Sequence, residues 1–347
     1  MRHLATIQTI ADIQPIEGAD TIEKVKINDW WCVSKKGEFK VGDPCVYFEI
    51  DSLLPVSSPV FSFLEKGNKP KTVEVNGVTY TGYRLKTVRL RGQVSQGLAL
   101  PVTRLFHGSI DFALGADVSE TIGVVKYEAP IPAQLVGKIK GMFPSFLKKT
   151  DEERIQNLGD VVQKHSTLGT KFYITEKLDG SSGTFYKNDG VFGVCSRNLD
   201  LLETEGNTFW LLARKYDLEN KLPAGFAIQG EVVGEGIQNN PLKIQGQDLY
   251  VFNVYNIIAE RFLDFTEFID FCKQLELKTV PVIFDEYIIS DTVENLLDAA
   301  NGPSSINQNS KREGFVLRPL YEMREIIGGQ EARLSFKVIS NDYLLSE

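Results

Sequence analysis

An α+β protein of two unlike parts is what this sequence predicts, on three observations. The first 125 residues break into short β-rich runs divided by turn residues, with no convincing helix among them. From Lys171 onward, strand patterns alternate with amphipathic helical ones. The length of 347 residues fits two domains better than one, and 42% apolar residues can fill an ordinary core in each.

In the first part, VKINDWWCVSKKGEFKVGDPCVYFEID is interrupted at Lys36-Gly37 and at Gly42-Asp43-Pro44. The run VEVNGVTYTGYRLKTVRLRG puts Asn76-Gly77 where a type I′ hairpin needs two residues of positive φ. Strands at this spacing predict a small closed or Greek-key barrel, OB-like in character, over 1–130. Residues 131–165 read as a linker with a short helix. Around its start lies the proline-interrupted YEAPIPAQL, then GKIKGMFPSFLKK with four lysines and no acid. DEERIQNL, from Asp151, opens with acids that suit a helix N-terminus and predicts that helix. The second domain spans 166–347. Its KFYITEKLDGSSGTFYKNDGVFGVCSRN reads as strand, loop, strand, turn, strand, and FAIQGEVVG and DLYVFNVYNII as two central strands. DFTEFIDFCKQLEL spaces Phe265, Phe268, Phe271 or Cys272, and Leu275 for an amphipathic helix, and VENLLDAAN is a second one. REGFVLRPL and ARLSFKVIS supply the last strands.

Composition narrows the chemistry. A formal net charge of −8 argues against a chain coated in positive charge, so nucleic-acid binding would need local basic patches. Cys32, Cys45, Cys195 and Cys272 are widely spaced, which excludes CxxC redox chemistry and zinc knuckles and predicts buried free thiols. His3, His107 and His165 are too dispersed for a histidine metal centre or a Ser/His/Asp triad. No segment approaches the roughly 18–20 apolar residues of a membrane span, and the N-terminus lacks a signal-like apolar run. A soluble cytoplasmic protein with no membrane role is expected.

The sharpest feature is Glu176-Lys177-Leu178-Asp179-Gly180-Ser181-Ser182. A lysine amine attacks only when neutral, and burial, neighbouring cations or a metal can lower its pKa. Gly180 lets the backbone pass close to a ligand. Taken alone, so short a motif occurs often by chance and reads first as a surface turn with an incidental lysine. Downstream, however, charges recur inside apolar β runs: Glu231 in Gln229-Gly230-Glu231, 54 positions on; Glu313 before Gly314-Phe315-Val316, 82 further; and Lys337 in SFKVIS, 24 beyond that. Charges in buried strands are rare unless they are paired or hold a ligand.

In this order the set resembles the covalent nucleotidyltransferases, the polynucleotide ligases and mRNA capping enzymes. EKLDGSS looks like motif I, SRN at 196–198 like motif Ia, QGE like motif III, YVFNVY at 250–255 like motif IIIa, REGFVLR like motif IV and SFKVIS like motif V. The wording of SFKVIS, GEVVGEGIQ and TDEERIQN is similar to that of RNA ligases. DNA ligases and capping enzymes carry an OB domain after motif V. Here ten residues follow Lys337 and the barrel-like part comes first, as in RNA ligases with an N-terminal OB module. The resemblance implies an ATP-grasp-like nucleotidyltransferase domain of antiparallel sheets flanked by helices.

It also implies the roles. Lys177 takes AMP from ATP as a lysyl adenylate, AMP passes to an RNA 5′-phosphate, and a 3′-OH displaces it, on separate ends or in a nicked duplex. Glu231 and Glu313 hold Mg²⁺ or Mn²⁺. Asp179 is a third ligand or else binds ribose. Lys337 meets the α-phosphate; the two-lysine pattern common there is reduced to Ser335-Phe336-Lys337, with Arg333 as a helper. Arg197 contacts ribose or the RNA end. Phe252 and Val316 sandwich adenine, or are simply core residues. Thr175 and Glu176 read the adenine edge. Arg154 and Lys149 take the β- and γ-phosphates, or lie on a solvated helix face. Arg84, Lys86, Arg89 and Arg91 form an acid-free basic stretch suited to an RNA backbone, or to protecting an exposed strand edge. Lys138, Lys140, Lys148 and Lys149 form a second one. The alternatives are a DNA ligase and an inactive nucleotidyltransferase-like RNA-binding protein. A monomer is expected.

Overall fold

The computed structural model describes residues 3–75, 77–106, 112–127, 138–149, 151–327 and 329–346. The turn residue Asn76, His107 and most of YEAPIPAQL lie outside the described residues. The chain divides into two compact units, Met1–Ile131 and Pro132–Glu347. No helix among the described residues is long and apolar enough to cross a membrane.

The first unit contains β1 (Ala5–Thr9), β2 (Asp12–Pro15), β3 (Ile22–Ile27), β4 (Trp30–Lys35), β5 (Pro44–Phe48), β6 (Ser52–Pro55), β7 (Lys71–Val75), β8 (Val78–Arg84), β9 (Val88–Leu90), β10 (Gln93–Ser95), β11 (Leu98–Pro101) and β12 (Val125–Lys126). They form the sheets β1-β5-β11, β2-β3-β4 and β12-β6-β8-β7, plus the β9–β10 hairpin. Strand alternation sends the two faces of β5 into different cores, Val46 and Phe48 on one side and Cys45 and Tyr47 on the other. Val25, Ile27, Trp30 and Cys32 point into one core, and Ala5, Ile7, Val46 and Phe48 into another. Between Val75 and Val78, which pair, Gly77 supplies a φ of +77°. Contrary to the expectation of no helix, the unit holds a 3₁₀ segment, Pro59–Glu65, and two one-turn helices, α1 (Val102–Leu105) and α2 (Ser119–Ile122). Single turns are too short to display the 3.6-residue periodicity that marks a helix in sequence.

The second unit is built on two sheets. One has the order β13 (Ile139–Met142), β18 (Leu199–Leu201), β17 (Val191–Cys195), β16 (Ser181–Asn188), β19 (Phe226–Gly234), β20 (Gln247–Asn256), β21 (Arg261–Phe262). The other has β14 (Glu153–Arg154), β26 (Phe336–Ile339), β23 (Gly314–Pro319), β15 (Lys171–Lys177), β22 (Val282–Ile288), while β24 (Arg324–Ile327) and β25 (Gln330–Arg333) form a hairpin. Helices cover one face of each sheet. Val162 of α3 (Gly159–Leu168) and Leu296 and Leu297 of α7 (Val293–Ala299) pack on Phe172, Ile174, Leu317 and Val338. Leu212 of α4 (Thr208–Lys215), Leu218 of α5 (Leu218–Lys221) and Phe268 and Cys272 of α6 (Phe265–Gln274) pack on Ile228, Val232 and Val251. The expected amphipathic helix is thus α6, opened by an Asp264/Glu267 capping box. A last turn, α8 (Asn341–Leu344), closes the chain. All four cysteines are free and buried, and burial pushes the Cys45 thiol up to about 12.

DEERIQNL is not the expected helix. Glu153–Arg154 pairs in parallel with β26, a 3₁₀ turn covers Ile155–Asn157, and α3 starts only at Gly159. The acids are used differently: the Glu153 carboxylate accepts from its neighbour's N–H at 2.8 Å and from Asn157 at 3.0 Å. Ile155 and Leu158 are drawn into the core beside β26, and tertiary pairing overrides the local preference.

Candidate active site

Cross-strand register assembles the site. On the smaller sheet Arg154 lies opposite Lys337, Lys337 opposite Val316, and Val316 opposite Thr175. Directly opposed residues share a face, and Lys177, two positions after Thr175, shares it too. That face is opposite to the one that packs on α3 and α7. Lys177 ends β15, and only Leu178, Asp179 and Gly180 separate it from Ser181, which begins β16 in the larger sheet. There Ser182 pairs with Glu231 on β19. Lys177 therefore stands where the chain crosses between sheets. Gly180 makes the crossing possible: a Cβ there would sit 2.4 Å from the Val232 carbonyl oxygen and 2.8 Å from Val233 Cγ1.

The electrostatics are lopsided. Lys177 Nζ donates to Glu313 Oε1 at 2.7 Å, and Glu231 and Asp179 are close enough to act on the same amine. Three carboxylates surround one ammonium. Burial pulls the Lys177 pKa down, but Glu313 and Glu231 outweigh it, and the net direction is up. Burial, with Glu313 and Asp179 nearby, pushes Glu231 up to about 8 against the pull of Lys177. Burial also raises Glu313. A site with surplus negative charge holds its protons tightly, and its amine is not a nucleophile in that state. The donor set suits a hard divalent cation: Glu313 Oε2 is buried with no hydrogen-bond partner, and oxygen ligands of this kind take Mg²⁺ or Mn²⁺ with waters completing the shell. Among the described residues no three His, Cys, Asp or Glu side chains converge into a closed metal cage.

The remaining expected residues fall into two groups. Glu176 is buried, its Oε2 accepts from the Ser305 N–H at 2.7 Å, and its Oε1 has no hydrogen-bond partner. Phe252 packs with Leu178, Tyr250 and Val233, and Val316 is buried at 6% exposure. Arg197 bonds Asp151 at 2.5 Å and Lys149 bonds Asn198 at 2.9 Å, fastening Lys149 and Asp151 to the 196–198 loop near Glu231. Arg333, by contrast, is engaged away from Lys177. It forms a two-point pair with Glu322, bonds Asn253 at 3.1 Å and stacks on Phe262. In the first unit, Arg84 is tied to Asp51 at 2.7 Å and lies over Tyr127, so its charge is already paired. Alternation in a strand would put Arg89 and Arg91 on one face, but Arg91 leaves the strand. It occupies the β9–β10 turn at φ +50°, followed by Gly92 at +83°.

Sequence reading missed the supports. Arg318, fully buried, donates from Nη2 to Glu152 at 2.7 Å, from Nε to Ser335 at 3.1 Å and from Nη1 to the Phe252 carbonyl at 3.3 Å, joining the two sheets. Burial opposes ionisation of Glu152, yet Arg318 holds it down at about 2, with Lys337 and Arg333 assisting. At the chain's end, the Tyr343 hydroxyl makes a short hydrogen bond to Asp179, while the Ser340 N–H donates to the Glu313 carbonyl at 2.9 Å. One turn of helix thus fixes two of the acids around Lys177. The signal available was the position of Arg318 inside the apolar run of REGFVLRPL.

Comparison with known proteins agrees with this fold. A family model described as OB-fold domain matches residues 4–102, and one described as RNA ligase matches residues 170–339. Among solved structures, Naegleria gruberi RNA ligase with PPi is 43% identical, with a TM-score of 0.85, over 99% of this chain and 98% of that one. A mutant of that enzyme with ATP and Mn is 42% identical with a TM-score of 0.85, and another with AMP and Mn 42% with 0.86, each over 99% of this chain and 98% of theirs. A comparison with curated proteins returned no match. The chain belongs to the RNA ligase family, its ligase domain preceded by an OB-fold domain.

Proposed function

We propose that this protein is an ATP-dependent RNA ligase that seals a 3′-OH to a 5′-phosphate, and that Lys177 carries the AMP. The observation that supports this best is the Lys177–Glu313 pair at 2.7 Å with Glu231 and Asp179 beside it and Lys337 across the strand from Val316. The chemistry asks for a positioned nucleophile and for neutralised phosphate charge, with little else. Val316 and Phe252 cover the adenine faces, and Thr175 and the unpartnered Glu176 Oε1 read its edge, the carboxylate oxygen accepting from the exocyclic amine. Lys337 neutralises the α-phosphate as charge builds there. Glu313 Oε1 holds the Lys177 ammonium in line until the proton leaves. Mg²⁺ or Mn²⁺ held by Glu231 and Glu313, with Asp179 as a third ligand or turned to the ribose, supplies the positive charge that offsets the carboxylates and favours the neutral amine. Arg197 receives the ribose or the RNA end, and Arg154 and Lys149 face the departing pyrophosphate.

AMP then passes to the 5′-phosphate and is displaced by the 3′-OH, in a nicked duplex or on separate ends. We read the protein as a cytoplasmic monomer, in keeping with four buried free thiols. Intact mass after incubation with ATP and Mg²⁺ tests the reading. A gain of one AMP, absent in Lys177→Ala, is expected; an unmodified wild-type chain that also fails to seal RNA refutes it.

A further inference from the structure

The sheet β2-β3-β4 of the first unit has an inner face of buried Val25, Ile27, Trp30 and Cys32. Its outer face carries a large aromatic. Trp31 lies opposite Lys26 and Val33 opposite Lys24, so Trp31, Lys24 and Lys26 share the solvent side. Lys24 Nζ stands 4.5 Å and Lys26 Nζ 5.9 Å from the centroid of the half-buried Trp31 ring. The neighbouring acids are Asp12, opposite Lys26, and Asp29, which pairs with Lys26 at 3.2 Å. Beside this face runs the β9–β10 hairpin. The Gln96 N–H donates to the Trp31 carbonyl at 2.9 Å, and the Val33 N–H to Ser95 Oγ at 2.9 Å. The hairpin that carries the exposed Arg89 and Arg91 is thus rooted at its base beside the tryptophan.

We propose that Trp31, flanked by Lys24 and Lys26 and extended by Arg89 and Arg91, is a single-stranded RNA subsite on which one base stacks. A core role does not account for Trp31, because the core lies on the other face of its sheet. A protein partner would need a broad apolar patch, whereas this face offers one ring and Val33 among cations. An aromatic ring with two ammonium groups near its face suits a nucleotide: the base takes the ring face and the phosphates take the ammonium groups, Lys26 exchanging its Asp29 partner for phosphate. On binding, the lysine-on-ring contacts are exchanged for base-on-ring and phosphate-on-lysine contacts. The proposal rests on the ligase reading for the identity of the polyanion and adds where on the OB-fold domain it is gripped.

Anisotropy of a short fluorescein-labelled single-stranded RNA titrated with the full chain tests this. Trp31→Ala is expected to weaken binding about tenfold or more, and Trp31→Phe to retain most of the affinity. Lys24→Ala/Lys26→Ala is expected to reduce the slope of log affinity against log salt by about 1.4. Affinity within about twofold of wild type in Trp31→Ala, or an unchanged salt slope in the Lys24→Ala/Lys26→Ala variant, overturns the subsite. A Trp31→Phe loss equal to that of Trp31→Ala overturns it as well, since stacking survives in phenylalanine. AMP loading of Lys177 separates the two readings. A chain that loads AMP yet binds RNA independently of Trp31 loses only this proposal, and one that never loads AMP loses the ligase reading.

Discussion

Replacing Arg318 with methionine removes the cation that joins the two sheets of the ligase domain while keeping most of its volume. In the wild type the guanidinium is 1% exposed and satisfies Glu152, Ser335 and the Phe252 carbonyl. Lowering Glu152 from 4.5 to about 2 is linked to roughly 3 kcal/mol of folding free energy. Its folded pKa is depressed, so this contribution is complete above about pH 4.5 and lost as pH falls toward 2. Without Arg318 the buried carboxylate is left with Lys337 and Arg333 as weaker partners, and breaking a buried pair costs about 3–5 kcal/mol. Burial then raises Glu152, so acid relieves the variant where it harms the wild type. Urea denaturation at pH 7 and near pH 4.5 should show a large deficit at neutrality that narrows on acidification. Arg318→Met/Glu152→Gln should recover much of it, because no stranded charge remains. A deficit below about 1 kcal/mol, or one that does not shrink with acid, refutes the assignment of Arg318 and Glu152 as a mutually dependent pair.

Three further outcomes are expected. Gly180→Ala drives a Cβ to 2.4 Å from a backbone oxygen of the strand bearing Glu231; unfolding free energy should drop by about 1–3 kcal/mol and AMP loading by about 100-fold, and a wild-type loading rate would contradict the close crossing. Tyr343→Phe leaves Asp179 without its hydroxyl donor; single-turnover AMP loading should slow by about tenfold or more with little change in melting temperature, while unaltered loading would remove Tyr343 from the site's support. Arg84→Ala, because Arg84 is committed to Asp51 and Tyr127, should cost about 1 kcal/mol of stability and leave RNA affinity nearly unchanged; a large affinity loss in anisotropy would restore it to the RNA surface.

What the sequence disclosed, and what it concealed, follows from range. Lys177, Glu231, Glu313 and Lys337 each sit as a charge in an apolar β run, an anomaly visible locally, and the fold draws them together. α6 was legible because Phe268 and Cys272 keep helical spacing on its buried side. DEERIQNL misled because its acids satisfy a helix-start rule, while the pairing of Arg154 with Lys337 lies 183 positions away. The same holds for Arg318 with Glu152, 166 apart, and Tyr343 with Asp179, 164 apart: no local pattern announces a partner at that distance. Arg84 belongs to a basic cluster in sequence, but Asp51 across the sheet neutralises it. Trp31 looked like an ordinary strand residue because alternation alone does not say which face is wet.

The crossing from β15 to β16 has a mechanical consequence. The four Cα-to-Cα steps from Lys177 to Ser181 span at most about 13–14 Å when extended, only a few ångströms more than the ~10 Å that stacked sheets generally keep between them. So short a tether has little slack to spend. The backbone of Lys177 cannot be carried far by a flexing loop; it follows the layers when they shift. A substitution far out in either helical layer that wedges the sheets apart would therefore detune the chemistry without touching a single reactive group.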